Sequence, residues 1–402
     1  LAITTGSLVA PAAGAWSVSV NPIETPAGYV AGMVAALLLG WLLSRCRPFR
    51  VTLSSGAERF ETLDGLRGFL ATGVMFHHMA VMRHYQLTDS WSGPDTNFYR
   101  LLGPIPVVFF FMLTGFLFWD KAIASGGNIE AWKLYRGRVY RIVPLYAVLL
   151  AGVIIVTSWE SDAKLRVPPA LLAEQLGNAF TMGIRQLLSI NKSDVGNIAG
   201  TVTWTLRYEW RFYAMLPVIA GLAALRRNSI WLLLGPLIFL GFLGADNHYA
   251  IFLFGMAAAH LARIASFKKL MCSRVVSVAI LAGVVAIWQW AQDAYTFPSY
   301  FLCFAVFLPI VCGNDLWGFL RHPSARHLGA ISYSTYLLHT FVLYVIYFPL
   351  GFGSSIAALS PAAFWAVMTG IVALIVLICT VTYTYVEYPF MHTKPFPADH
   401  EA

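Results

Sequence analysis

Charge is what this chain has least of. Asp, Glu, Lys and Arg make up 11% of its 402 residues, against 58% hydrophobic residues, and the mean hydropathy is +0.67. A water-soluble domain carries about a quarter charged residues. A soluble enzyme is therefore excluded, and lipid must solvate most of the chain. Cysteine is also sparse. Cys46, Cys272, Cys303, Cys312 and Cys379 lie in or near apolar runs or basic loops, with no metal-like pairing. That spacing excludes a disulfide framework and gives no reason to expect a metal. There is no GxSxG elbow, no HExxH and no Walker loop, which removes the common hydrolase, metalloprotease and nucleotide-cleaving chemistries. The first residues show no basic n-region, so no signal peptide is read there.

Long apolar runs fill the space left by charge. Eleven segments are long enough, or nearly so, to span a bilayer, centred near residues 36, 73, 113, 149, 218, 237, 257, 284, 306, 340 and 374. The expected fold is all-α, a polytopic membrane protein of about eleven transmembrane helices. A net charge of +8 suggests nucleic acid at first, but the basic residues sit in short loops between apolar runs, where they set topology. With residue 1 outside and the segments alternating, 19 of the 27 Lys and Arg fall on the inner side. The expectation is N-terminus out, C-terminus in, with no nucleic-acid partner. Residues 1–27 read as an extracytoplasmic lead-in. Residues 28–59 hold a first helix and a basic linker, and residues 391–402 form a cytoplasmic tail. The longest non-spanning stretch, 159–205, lies on the outer side, and loops of that length tend to be functional.

Against this apolar background a few polar residues stand out. Arg67 and His78 lie in one candidate span, Leu63-Asp64-Gly65-Leu66-Arg67 through His77-His78. Eleven steps of about 100° make about three turns plus 20°, so both share a helix face, roughly 16–17 Å apart along the axis. Both are costly in lipid and must face a protein interior or a wet cavity. Histidine is the usual general base near neutral pH; the bland alternative is a hydrogen bond between helices. His77, about 80° away, reads as a packing residue or as one that supports the site from behind. Glu209 sits among aromatics between Arg207 and Arg211, in Trp204-Thr205-Leu206-Arg207-Tyr208-Glu209-Trp210-Arg211-Phe212-Tyr213. It is read as orienting a histidine, binding an acceptor hydroxyl, or making a structural ion pair. Trp204 and Tyr208 are candidate substrate contacts, with an interfacial aromatic belt as the alternative.

Four cations, Lys133, Arg136, Arg138 and Arg141, fall within nine positions. Guanidinium forks match phosphate oxygens, so a phosphorylated ligand is expected, with topology anchoring as the alternative. Thr114-Gly115 forms a small step in an aromatic helix, where glycine permits close approach of a helix or ligand. Tyr333 and His339 occur in a later span, Ile331-Ser332-Tyr333-Ser334-Thr335-Tyr336-Leu337-Leu338-His339, where His339 is read equally as a helix–helix hydrogen-bonding residue or as part of the site, and Glu387 reads as a structural cap or loop anchor.

Taken together and in order, these segments resemble the membrane acyltransferase-3 family of bacterial integral-membrane O-acyltransferases, over residues 60–390. The matching pieces are Leu63-Asp64-Gly65-Leu66-Arg67 with His78 eleven positions on, and Phe110-Phe111-Met112-Leu113-Thr114-Gly115-Phe116. They continue with Arg141-Ile142-Val143-Pro144, Trp204 through Tyr213, Ile331 through His339, and Glu387-Tyr388-Pro389-Phe390. Trp210 stands where the family has a second glutamate, leaving Glu209 as the acid of that segment. The family core has ten spans, so the helix around residues 28–45 is an addition.

The resemblance implies a bacterial inner-membrane enzyme that takes an acyl group, most often acetyl, from cytoplasmic acetyl-CoA. The acceptor would be a hydroxyl of an extracytoplasmic glycan or lipid-linked saccharide. His78, Arg67 and Glu209 are then the catalytic candidates, with His78 as general base or, alternatively, transiently acylated. Arg136, Arg138, Arg141, Lys133 and Thr114 are the donor-binding candidates, and Trp204, Tyr208, Tyr333 and His339 the acceptor-binding ones. A homo-oligomer or a polysaccharide-assembly partner is compatible with this reading. The competing function is a transporter or flippase for a lipid-linked sugar, with a structural export subunit as a third class. One aqueous tunnel lined by both Arg67 and His78 is the expectation on which the enzyme reading turns.

Overall fold

The computed structural model describes residues 25–54, 60–91, 93–94, 96–185, 188–224 and 247–392. The span expected near residue 237, the Arg226-Arg227 loop, most of the lead-in and most of the tail lie outside them. The described chain is almost wholly helical. Its main helices are α1 (Pro26–Arg45), α2 (Glu61–Thr88), α3 (Pro104–Ala124), α4 (Ala131–Glu160), α5 (Pro169–Ala179) and α6 (Leu206–Ala224). They are followed by α7 (His248–Leu261), α8 (Ala265–Met271), α9 (Arg274–Trp290), α10 (Phe297–Val311), α11 (Pro323–Ala330), α12 (Ser332–Tyr347) and α13 (Pro361–Thr382). A two-residue hairpin, Ser189–Ile190 against Ser193–Asp194, lies in the long loop. Proline opens α1, α3, α5, α11 and α13, where its missing N–H would have had no intrahelical partner.

Among the described residues, four helical stretches are long and apolar enough to cross a membrane: Pro26–Arg45, Asn97–Ala124, Ala131–Glu160 and Pro361–His392. Two bent pairs raise the number to six. The α7–α8 pair bends by 109° and the α11–α12 pair by 65°. The expected count of eleven is not reached by these criteria, and the reasons are local. α9 and α10 are apolar but have 17 and 15 residues. α2 has 28 residues, but Glu61, Asp64, Arg67, His77, His78 and Arg83 make it too polar to register as a simple span.

Two apolar cores hold the bundle. One gathers Phe111, Phe212, Phe252, Tyr300 and Phe307 from α3, α6, α7 and α10. The other gathers Phe76, Met79, Tyr99, Trp365 and Val372 around α2 and α13. The N-terminal α1 joins the second core: Gly28 lies against Trp365 and Gly32 against Phe76. Glycine sets the closest helix contacts. A Cβ at Gly115 would strike the Phe252 carbonyl, and one at Gly255 would strike the Met112 carbonyl, so α3 and α7 touch backbone to backbone. The approach that Gly115 permits is thus to a helix. Gly329 of α11 sits in the same way on the Asp64 carbonyl, which fixes α11 against the first turns of α2.

Candidate active site

Between the two cores lies a cavity of about 540 Å³. Helix α2 supplies Asp64 and Arg67, α3 supplies Phe110, Thr114 and Phe118, and α4 supplies Arg138 and Arg141. Glu209 and Tyr213 enter from α6, and Tyr333 and Tyr336 from α12. The bend between α11 and α12 adds Gly329, Ala330 and Ser332, so the broken backbone there borders the cavity. Four arginines (Arg67, Arg138, Arg141 and Arg326) face two carboxylates (Asp64 and Glu209) across this space. The wall therefore offers several guanidinium groups to an anionic or polarised ligand.

Each arginine is held by a different device. Arg67 Nη1 donates to Asp64 Oδ1 at 3.2 Å, one turn away on the same helix. The Arg138 guanidinium lies over the Phe118 ring at 4.9 Å and the Tyr213 ring at 5.6 Å from their centroids, a cation–π arrangement, and it also hydrogen-bonds the Tyr213 hydroxyl. Arg141 pairs with Glu387 Oε2 at 3.0 Å and lies over Tyr333. Arg326 pairs with Glu61 at 2.8 Å. Glu209 accepts from Tyr213 Oη at 2.8 Å, four residues on. A shallower groove of about 320 Å³ lies alongside, lined by Lys133, Arg136, Arg138, Arg141, Phe390 and Met391. Arg138, Arg141 and Met391 belong to both spaces, so the basic face of α4 runs from the protein surface into the bundle.

The structure thus gathers Arg67, Glu209, Arg138, Arg141, Thr114 and Tyr333 around one cavity and puts Lys133 and Arg136 at its flank. It places four expected residues elsewhere: Trp204, Tyr208, His339 and His78. Trp204 meets Tyr208 and His248 edge to face, in an aromatic cluster that also holds Tyr295, and neither Trp204 nor Tyr208 lines the cavity. Tyr208 is buried, so it packs instead of presenting a face to a ligand there. His339 is fully buried, with Nδ1 on the Thr335 carbonyl at 2.8 Å and Nε2 on His78 Nδ1 at 3.0 Å. Both of its ring nitrogens are used inside the protein, in the helix–helix hydrogen bonding that was the alternative to a site role, and it does not line the cavity.

The single tunnel is met at one end. Arg67 lines the cavity; His78 does not. A buried imidazole must satisfy its polar atoms, and His78 does so through the Val74 carbonyl at 3.0 Å and His339. The separation is small: His339 follows the cavity-lining Tyr336 by three residues, about 4.5 Å along α12. Glu209, expected as one means of orienting a histidine, hydrogen-bonds Tyr213, while His339 is the side chain in contact with His78. His77 bonds the Tyr99 carbonyl at 2.7 Å, as a packing residue would.

Sequence reasoning missed Tyr213, although its i, i+4 spacing from Glu209 put both on one helix face. It treated Glu387 as a simple anchor. Glu387 is fully buried, bonded to Ser334, and is the counter-ion of Arg141 across 246 residues of chain, a pairing no local pattern reveals.

A family model described as an acyltransferase domain matches residues 60–384. The chain belongs to the acyltransferase-3 family. This member is a multi-pass membrane acyltransferase, and the matched region begins one residue before α2, leaving α1 outside it. No curated protein and no solved structure matches the chain. In this acyltransferase the matched region carries the whole cavity apart from Thr52, Met391 and His392.

Proposed function

We propose that this acyltransferase moves an acetyl group from acetyl-CoA to a hydroxyl of a glycan or lipid-linked saccharide, across a bacterial inner membrane with the N-terminus outside. The observation that carries this reading is the continuity of cations from groove to cavity. Lys133 and Arg136 meet the nucleotide phosphates at the surface. Arg138, whose guanidinium has five N–H donors and spends one on Tyr213, takes the next anionic group inward. The pantetheine arm then follows the aromatic wall of Phe110, Phe118 and Tyr336. Arg67 polarises the thioester carbonyl, and its guanidinium, with that of Arg138 nearby, favours the oxyanion of the tetrahedral intermediate.

His78 is the base in this reading. The acceptor O–H breaks, its proton goes to the imidazole, and the oxygen bonds the thioester carbon. The C–S bond then breaks, and the departing thiolate takes the proton to give free CoA. Glu209, held by Tyr213, positions the acceptor. Radiolabelled acetyl-CoA and a glycan acceptor, incubated with protein purified in lipid, test the reading. Labelled ester supports it, and CoA binding without ester would argue for a carrier of another kind.

A further inference from the structure

From the hydrogen bonds around His78 we infer that His339 is a positioning residue that fixes which nitrogen of His78 is basic. This rests on the reading of His78 as base. The argument starts from a carbonyl, which accepts only. Thr335 O lies 2.8 Å from His339 Nδ1, so that nitrogen must carry a hydrogen. A neutral imidazole has one N–H, so His339 Nε2 is left with a lone pair. That lone pair faces His78 Nδ1 at 3.0 Å, and the Val74 carbonyl faces the same nitrogen, also at 3.0 Å. Two acceptors converge on His78 Nδ1, so it carries the hydrogen and shares it between them. The opposite assignment would set lone pairs against both carbonyl oxygens.

The consequence falls on the far side of the ring. His78 Nε2 keeps its lone pair and has no hydrogen bond among the described residues. His78 is 7% exposed and His339 0%, so the solvent reach that remains in the pair belongs to His78. The dyad works as a carboxylate does behind a catalytic histidine, but without adding a second buried charge. When Nε2 accepts the acceptor's proton, the positive charge on His78 strengthens the Nδ1–H bond to His339. The proton on Nε2 then leaves with the CoA thiolate, and the dyad returns to its starting tautomer.

The test combines a spectrum with kinetics. Nitrogen-15 solid-state spectra of histidine-labelled protein in bilayers, read as a difference against His78→Ala, are expected to show His78 with Nδ1 protonated and Nε2 bare. His339→Leu is expected to convert this to a mixture of tautomers and to lower kcat about 100-fold, with the KM for acetyl-CoA unchanged. His339→Gln, whose side-chain carbonyl can accept the Nδ1 hydrogen, is expected to recover most of that loss. A protonated Nε2 in the wild-type protein overturns the inference. So does a His339→Leu protein with wild-type kcat while His78→Ala is inactive. Turnover by His78→Ala would instead remove the base reading, and the wild-type spectrum would still judge the tautomer.

Discussion

In the cavity, arginines are spread around open space, each steadied by a neighbour; a turn further along α12, two imidazoles face each other among apolar side chains. The first region solves the cost of charge in a bilayer with room: Arg67, Arg138 and Arg141 share about 540 Å³ with two carboxylates and several hydroxyls. The second solves it by neutrality, since neither His78 nor His339 needs a charge until a proton arrives. A donor rich in phosphate belongs with the first. A proton transfer that must not be short-circuited by water belongs with the second.

The strongest way to break this contrast is at the imidazoles. His78→Ala is expected to remove acyl transfer, about 100-fold or more, in protein that still inserts and elutes as a single species. Ester formation at the wild-type rate would end the division of labour. Next comes the pairing that shapes the cavity wall. Arg141→Met leaves Glu387, with no exposure, without its counter-ion. It is expected to cost about 3 kcal/mol, seen as a lower thermal midpoint in detergent, whereas Glu387→Gln in the same background restores much of it. A smaller effect is expected at Arg138. Arg138→Gln, which keeps the chain packed on Phe118, is expected to weaken CoA binding about tenfold, measured by calorimetry, with stability little changed. The smallest is at the groove. Arg136→Ala and Lys133→Ala are each expected to weaken CoA binding about two- to fivefold, less at high salt. Affinity unchanged by salt would return this segment to topology anchoring.

The sequence carried the parts of this molecule that repeat locally. A helix of 3.6 residues per turn put Arg67 and His78 on one face of α2 and the four cations along α4, and motif order carried the family. It did not carry contacts between distant segments. Nothing in the spacing joined His78 to His339 across 261 residues, or Arg141 to Glu387 across 246. Among the described residues, counting by length and hydropathy reaches four to six spans for a related reason. Hydropathy measures apolar content, and α2 is polar because it faces protein on most sides. The breaks at α7–α8 and α11–α12 turn one apolar run into two shorter helices. Trp204 and Tyr208 looked like ligand contacts by composition, but aromatic residues serve packing as readily as recognition, and only the neighbours decide.

The break between α11 and α12 has one more effect. Amides at the start of a helix lack upstream carbonyls, and here Ser332 and its neighbours border a space that water can fill. Hydrogens there should swap with heavy water sooner than those deeper in the same rod, and a thioester lodged alongside should slow that exchange. The hinge thereby doubles as a built-in reporter of occupancy, readable without any turnover.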